Sequence, residues 1–416
     1  MKILHVVHGY PPSIGGSQHL VEKISIELAR HYDDDVTVLT TVAKNMNHFI
    51  QDDGDALPAG ITTENGVRVQ RFRVFNRLTR VRMLMASLAF RWNLPGNEFC
   101  RTLLNGPIVF GMADAVARSN ADVVMAAAFP QMNMYDAVRG ARHAKVPIVL
   151  CGALHVEDRW NYDRTMIFKA IRRADAYIAL TEFEKDHVVS RGVTPEKIHV
   201  IGGGVDLETY SNADGAEIRR RFGWNGDPVV VMLAKHVERK RFDVLLSAME
   251  HVWKERPTAR VLLAGGRTDY SSVLEQQIDG LQKSQRNRVT LLSDFHEDLG
   301  PSLVAAGDLL VLPSGRDAFG IVFVEAWACR KPVIGVNLGA TASLIDHEQD
   351  GLLVQYEDPA DLAHAILRLL GDATLRTHLG LRGLRKVQAD YSWSIIARRY
   401  REIYLDLIDR NKAARQ

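Results

Sequence analysis

At 416 residues the chain is too long for one ordinary hydrophobic core, so two domains of about 200 residues each are the default expectation. Its 52 basic and 50 acidic side chains nearly cancel, which excludes a global electrostatic drive toward nucleic acid and leaves any charged partner to local patches. The three cysteines, Cys100, Cys151 and Cys329, are widely spaced and form no C-x-x-C, which argues against a disulfide framework or a zinc cluster and fits a reducing cytosol.

The opening "MKILHVVH" is too short for a signal peptide and reads as a first strand. No apolar run approaches the roughly 20 residues needed to cross a bilayer, so the chain is expected to be soluble or, at most, to sit on a membrane surface. Short β-branched runs then alternate with longer segments of helical periodicity, the pattern of parallel sheets covered by helices on both faces. In the first half the predicted strands are Lys2 to Val7, Val36 to Thr40, Val67 to Phe72, Asp122 to Ala126, Pro147 to Cys151, Ala176 to Leu180 and Lys197 to Ile201. A turn-rich, polar stretch from Gly202 to Asp227 reads as an inter-domain connection. The second half predicts strands over Pro228 to Ala234, Arg260 to Ala264, Val289 to Leu292, Leu309 to Leu312, Pro332 to Val336 and Gly351 to Val354. The tail, "YSWSIIARRYREIYLDLIDR", carries apolar residues at helical spacing and predicts a long closing helix. The expected domains are residues 1–205 and 206–390, with residues 391–416 packing back on the first. Two doubly wound domains facing each other would bring the carboxyl ends of both sheets to one cleft, where ligands bind.

Candidate chemistry follows the same order. Gly15 and Gly16 precede an amphipathic helix, and a glycine pair there allows the backbone to approach an anion closely. It is not G-x-G-x-x-G, "IGGGVD" lacks that spacing too, and no acid closes the second strand, so a nicotinamide dehydrogenase is disfavoured. Asp33 to Asp35 imitate a metal-binding D-x-D but lie at the end of a strand away from the expected cleft, and read as a solvated turn. The stretch Arg71 to Trp92 holds six arginines, several aromatics and no acid, which suits an interfacial helix on an anionic membrane, an acceptor-facing surface, or a plain basic face. His155 follows a strand's carboxyl end and would enter the cleft unless it is structural. Lys235 and Lys240 lie on a strand-to-helix loop, where two ammonium groups would neutralise a diphosphate without a metal or form a solvated basic turn.

The stretch "SGRDAFGIVFVEAWACRKPVIG" follows the strand at Leu309 to Leu312. With a helix starting at Phe319, the N–H groups of Gly320, Ile321 and Val322 would present a positive helix end to an anion. Glu325 on the second turn would accept hydrogen bonds from a ribose diol, and Asp317 from hydroxyls of a second sugar, although acids also favour helix starts for their own sake. No group of Cys, His and Asp residues has metal-ligand spacing, and no nucleophile motif occurs.

Together these segments resemble the family-4 retaining glycosyltransferases of glycosyl transferases group 1, along essentially the whole chain. "YPPSIGGSQHL" is similar to the family's P-P-x-x-G-G-x-E opening, and "IHVIGGGVDLETY" to its I-P-N-G-V-D connection. "LAKHVERK" matches G-R-L-x-x-x-K, and "DAFGIVFVEAWACRKPVIG" matches E-x-F-G-x-x-x-x-E-A-x-A-x-G-x-P-V. The resemblance implies the GT-B fold, an α/β architecture of two facing Rossmann-like domains with a cleft between them and a closing helix. It implies that Lys235 and Lys240 bind the donor diphosphate with Gly15 and Gly16 nearby, and that Phe319, Gly320 and Ile321 offer backbone N–H groups. It also places Asp317 at the donor sugar, Glu325 at the ribose, and His155, Lys240 and Asp317 in the catalytic set. Departures are Asp317 and Ser343 where glutamate is usual, Gln18 for the opening acid, and a His155 about two positions later than the family histidine.

The implied activity is a metal-independent hexosyltransferase, of the glycosyltransferase enzyme class, using a UDP- or GDP-sugar and a glycan or lipid-linked acceptor. Its expected setting is bacterial glycan, polysaccharide or glycolipid synthesis in the cytoplasm, with peripheral membrane contact through Arg71 to Trp92. No bound cofactor, metal or nucleic acid is expected. The alternatives are a sugar-nucleotide epimerase or phosphorylase of the same architecture, or a non-catalytic nucleotide-sugar-binding protein.

Overall fold

The computed structural model describes residues 1–13, 15–51, 54–224 and 226–415, so Ile14 of the opening motif, Asn225 of the expected connection and Gln416 of the tail lie outside the described residues. The chain forms two compact units, Met1–Gly203 with Trp393–Gln416, and Gly204–Ser392.

The first unit is built on β1 (Lys2–Val7), β2 (Asp35–Thr41), β3 (Gly60–Glu64), β4 (Val67–Phe72), β5 (Val123–Ala127), β6 (Ile148–Cys151), β7 (Ala176–Ala179) and β8 (Ile198–Val200). They form one sheet in the order β3-β4-β2-β1-β5-β6-β7-β8. Strands β5, β6 and β7 are buried at every position, as a parallel sheet covered on both faces requires. All neighbours run parallel except β3, which joins β4 antiparallel at the edge and was not among the predicted strands. Its residues are mostly exposed and show no apolar alternation. The available signal was the turn: Asn65 and Gly66 both take left-handed φ values, 53° and 85°, in a two-residue hairpin.

The tail forms a helix over Trp393–Ala413 that buries Trp393, Ile396, Tyr400, Tyr404 and Leu407 in the core shared with β1 and β2. Buried polar groups fix its register. His5 on β1 meets Ser25 Oγ at 2.7 Å through Nδ1 and Tyr404 Oη at 3.1 Å through Nε2. Asp34, read from the sequence as part of a solvated turn, is instead buried and accepts a hydrogen bond from Arg401 Nε at 2.8 Å. Asp33 before it adopts the left-handed conformation that ends the Gly16–Tyr32 helix, and this turns Asp34 inward.

The second unit contains β9 (Val229–Leu233), β10 (Arg260–Gly265), β11 (Val289–Ser293), β12 (Leu309–Leu312), β13 (Val333–Val336) and β14 (Gly351–Val354). All six are parallel, in the order β11-β10-β9-β12-β13-β14. Winding starts at β9, proceeds outward, and resumes from β12 in the opposite direction. The carboxyl ends of β9 and β12 therefore flank a topological switch point, the crevice where open α/β sheets bind ligands. The expected connection, Gly202 to Asp227, proves to be part of this unit from Gly204 onward. It folds into helices Leu207–Ser211 and Ala216–Arg221, and Ile218 and Trp224 join a core with Val229, Val231 and Leu303. Polar composition hid two large apolar anchors.

Candidate active site

Two loops meet at the switch point of the second unit, one after β9 and one after β12. The first needs Gly265 on neighbouring β10, since a Cβ there would stand 1.8 Å from the Ala234 carbonyl oxygen. It runs through Lys235 and His236 into a short 3-10 turn, Glu238–Lys240, and then into the helix Phe242–Glu255. Arg241, in the left-handed conformation, caps that helix and clamps Asp243 at 2.8 Å. The second loop, Ser314 to Gly320, leads into the helix Ile321–Ala328. Gly320 takes φ 89°, and an added Cβ would lie 2.8 Å from the Phe323 ring, so glycine is needed to start the helix here. The sequence placed that start at Phe319. Phe319 is instead buried before it, packed on Tyr391, while Ile321 and Val322 open the first turn with N–H groups outside the helix's own ladder.

The loops are tied by charge. Lys240 Nζ donates to Asp317 Oδ1, Arg239 Nη1 stands 3.6 Å from the same oxygen, and Arg239 also donates to the Arg316 carbonyl at 3.0 Å. Ser314 Oγ donates to the Arg239 carbonyl at 3.1 Å. The side chains of Lys240 and Asp317 are only 13% and 10% exposed. Burial works to raise the Asp317 carboxyl, but the charge and hydrogen bond of Lys240, with Arg239 behind, hold it below the usual carboxylate range. Asp317 Oδ2 is buried with no hydrogen-bond partner. A buried acceptor left in that condition is costly, and a hydroxyl-bearing ligand would satisfy it. The sequence set Lys240 and Asp317 to different tasks; the structure makes them one ion pair.

Lys235 is exposed at the carboxyl end of β9. Glu325 faces the Leu207–Ser211 helix and is hydrogen-bonded by Tyr210, whose phenol is raised well above its ordinary value by burial and then by that carboxylate. His236, between the two lysines, was not singled out from the sequence. It is buried, with Nδ1 3.1 Å from Ser271 Oγ and Nε2 without a partner. Arg239 was also missed. Its position inside "KHVERK" was the only available signal. A cavity of about 290 Å³ in this unit, lined by Tyr210, Arg219, Cys329 and Lys331, adjoins the amino ends of the strands and is lined by none of the predicted site residues.

In the first unit Gly15 has extended backbone before the Gly16–Tyr32 helix, and a Cβ on it would press against the Gln18 amide at 2.3 Å. A Cβ on Gly16 would meet nothing within 4 Å, so its backbone is open to a ligand. His155 is half-buried on the loop after β6, with its ring edge-on to Tyr162 at 5.6 Å. That loop is held by Glu184, another group the sequence reading passed over. Glu184 accepts hydrogen bonds from Leu154 N at 3.2 Å, Leu180 N at 2.8 Å and Tyr177 Oη at 2.6 Å. Burial pushes its carboxyl up to about 7, against the lowering effect of those bonds. The spacing Thr181-x-x-Glu184 is a capping-box pattern and was its legible signal. Among the described residues no group of three or more His, Cys, Asp or Glu side chains is placed to hold a metal ion, and no helix is long and apolar enough to cross a membrane.

Two family models match successive parts of this chain: Glycosyltransferase Family 4 over residues 14–209 and Glycosyl transferases group 1 over residues 227–372. The D-inositol 3-phosphate glycosyltransferase of Streptomyces bingchenggensis is 31% identical over 244 residues, which is 56% of this chain and 53% of that protein. The enzyme of the same name from Mycobacterium sp. strain KMS is 34% identical over 215 residues, 50% of this chain and 48% of that protein. The chain thus spans about half the length of the curated relatives it matches. Among solved structures, Anabaena HepE in complex with UDP and glucose superposes with a TM-score of 0.72 at 21% identity, covering 98% of this chain and 100% of that one. The sucrose-phosphate synthase of Thermosynechococcus elongatus gives 0.70 at 19%, with 98% and 100% covered. These two establish the fold and no more. With the two family models matched in order along the chain, and the GT-B fold shared with those neighbours, the chain belongs to the family-4, group 1 glycosyltransferases.

Proposed function

We propose that this protein transfers a hexose from a UDP- or GDP-sugar to an acceptor hydroxyl, with retention at the anomeric carbon and without a metal. The observation that carries this reading is the buried Lys240–Asp317 pair beside the Ile321 helix start, at the β9/β12 switch point. A diphosphate there would take Lys235, Lys240 and the N–H groups of Ile321 and Val322, with Phe319 and Gly320 shaping the approach. Asp317, released from or shared with Lys240, would accept from a donor-sugar hydroxyl through its orphaned oxygen, and Glu325 would exchange Tyr210 for a ribose. In the amino-terminal unit, the open backbone at Gly16, after Gly15, would meet anionic oxygen, and His155 would serve the acceptor side. As the glycosidic bond breaks, the leaving diphosphate gains charge, and fixed cations stabilise it more in the transition state than in the ground state. Lysines and a helix start supply that charge, so the reading needs no metal or bound cofactor.

Support for the donor class comes from the neighbour solved with UDP and with UDP-glucose. The relatives' name, D-inositol 3-phosphate glycosyltransferase, supports a small phosphorylated acceptor; a lipid-linked acceptor of polysaccharide or glycolipid synthesis at the cytoplasmic membrane face is the reading we attach to the exposed arginines between Arg71 and Trp92. Lys235 offers the cleanest test because it is exposed, whereas removing Lys240 also leaves a buried carboxylate. Lys235→Ala is expected to lower kcat/KM by about two decades, the usual effect of losing one transition-state cation, while Tm stays unchanged. Near-normal turnover would refute the phosphate role. Conversion of donor without acceptor would indicate an epimerase, and UDP stabilisation without turnover on any acceptor a binding protein.

A further inference from the structure

The helix Thr79–Arg91 is inverted relative to an ordinary surface helix. The residues it buries are Arg82, Ala86 and Ala89, while its large apolar side chains point out. Val81, Leu84, Met85, Leu88 and Trp92 fall at i, i+3, i+4, i+7 and i+11, so they form one stripe along it. That stripe is solvent-facing: Leu84 is 59% exposed, Leu88 45% and Trp92 69%, and Leu94 and Phe99 extend the apolar surface beyond it. The helix holds to its own unit by polar contacts. Arg82 donates to the carbonyls of Phe49 and Leu103, both at 3.1 Å, and the following helix is pinned by Arg101, which donates to the Trp160 carbonyl at 2.6 Å. An apolar stripe that its own domain leaves uncovered calls for a partner.

Charge selects the partner. Of the six arginines in Arg71 to Trp92, the structure withdraws two: Arg71 is buried on Glu64, and Arg82 serves the carbonyls. Arg73, Arg77, Arg80 and Arg91 stay exposed around the stripe, and no acid occurs between Asn65 and Asn97. A second copy docked through this face would crowd arginines against arginines with no acid to meet them. Anionic headgroups meet them directly, with the stripe entering the acyl boundary and Trp92 at the interface. The geometry points to Thr79–Trp92 as the element that seats this protein on an anionic lipid bilayer. Lipid-linked acceptors would then be presented in the plane of the surface. The inference rests on the reading above only for the acceptor.

Flotation with phosphatidylcholine vesicles, with and without phosphatidylglycerol, tests it. The native chain is expected to float with the anionic vesicles and to be released by salt. Leu84→Glu with Leu88→Glu should weaken partition about tenfold or more, and each of Arg77→Gln, Arg80→Gln and Arg91→Gln about fivefold. These positions are exposed, so Tm and UDP stabilisation should not change. Absence of flotation at low salt, or equal flotation of the glutamate variants, would overturn the inference. So would a concentration-dependent dimer that those variants abolish. If UDP stabilisation survives any of these outcomes, the donor reading stands and the membrane assignment alone falls.

Discussion

Glu184 shows how one buried carboxyl can organise a loop and expose its energetics to titration. Three donors converge on it, and its only route to full ionisation is through them. Because burial raises its pKa from 4.5 to about 7, the folded state keeps a proton that the unfolded chain has lost across that window. Its contribution to stability is therefore fully present below about 4.5 and is lost as pH rises through about 7. Tyr177→Phe removes a donor that favours the charged form, so the carboxyl moves further up. The expected loss is about 1.5–3 kcal/mol at pH 8.5 and clearly less at pH 5, read from urea unfolding at the two values. Equal losses at both pH values would mean that the phenol acts by packing alone. The same reasoning explains why Glu184 escaped the sequence reading. A capping-box acid is legible, but its reach across to Leu154 depends on β6 and β7 lying side by side.

At the scale of elements, the parallel strands were legible because a sheet covered on both faces writes itself as continuous Val, Ile and Leu runs. Edge strand β3 was not, because one solvated face and mixed polar residues erase that signal, and only Asn65–Gly66 betrays the hairpin. The site loops were legible as glycines, lysines and acids at strand ends, whereas the pairing of Lys240 with Asp317 required two loops 77 positions apart to converge. Strand β1 and the residue that follows it add what no periodicity could reveal, two buried histidines. Burial lowers His5 from 6.5 to about 3 and His8 to about 4, so both stay neutral in the fold. Their contribution is present above about 6.5 and is lost as pH falls, since the unfolded chain then binds protons the folded chain refuses. Glu184 opposes one of them between about 4.5 and 7. The informative quantity is accordingly a difference of slopes. His5→Gln should flatten stability against pH by about 1.4 kcal/mol per unit between pH 6.5 and 4.5, whatever offset it adds by disturbing Ser25 and Tyr404. An unchanged slope would mean that His5 is already charged in the native state.

The whole molecule is asymmetric in how its chain is used. The second unit is one continuous segment, Gly204–Ser392, and the first is closed only by the returning tail. That tail supplies Ile396, Ala397, Tyr400, Ile403, Tyr404 and Leu407 to the core around β1, and Arg401 to buried Asp34. At about 1.5–3 kcal/mol for each large apolar side chain, its removal exceeds what a domain of ordinary stability, about 5–15 kcal/mol, can lose. Asp34 and His5 would also be left with unmet polar groups. A chain ending at Ser392 should therefore lose the cooperative transition of the first unit in calorimetry. The second unit should still melt as one step, and UDP should still raise its Tm, because every group proposed for the diphosphate in that unit lies between Lys235 and Val322. The isolated 204–392 segment should behave the same way. If the truncated chain kept both transitions, the tail would be an accessory rather than part of the core. If it lost UDP stabilisation along with the first transition, the nucleotide site would not reside in the β9/β12 crevice alone.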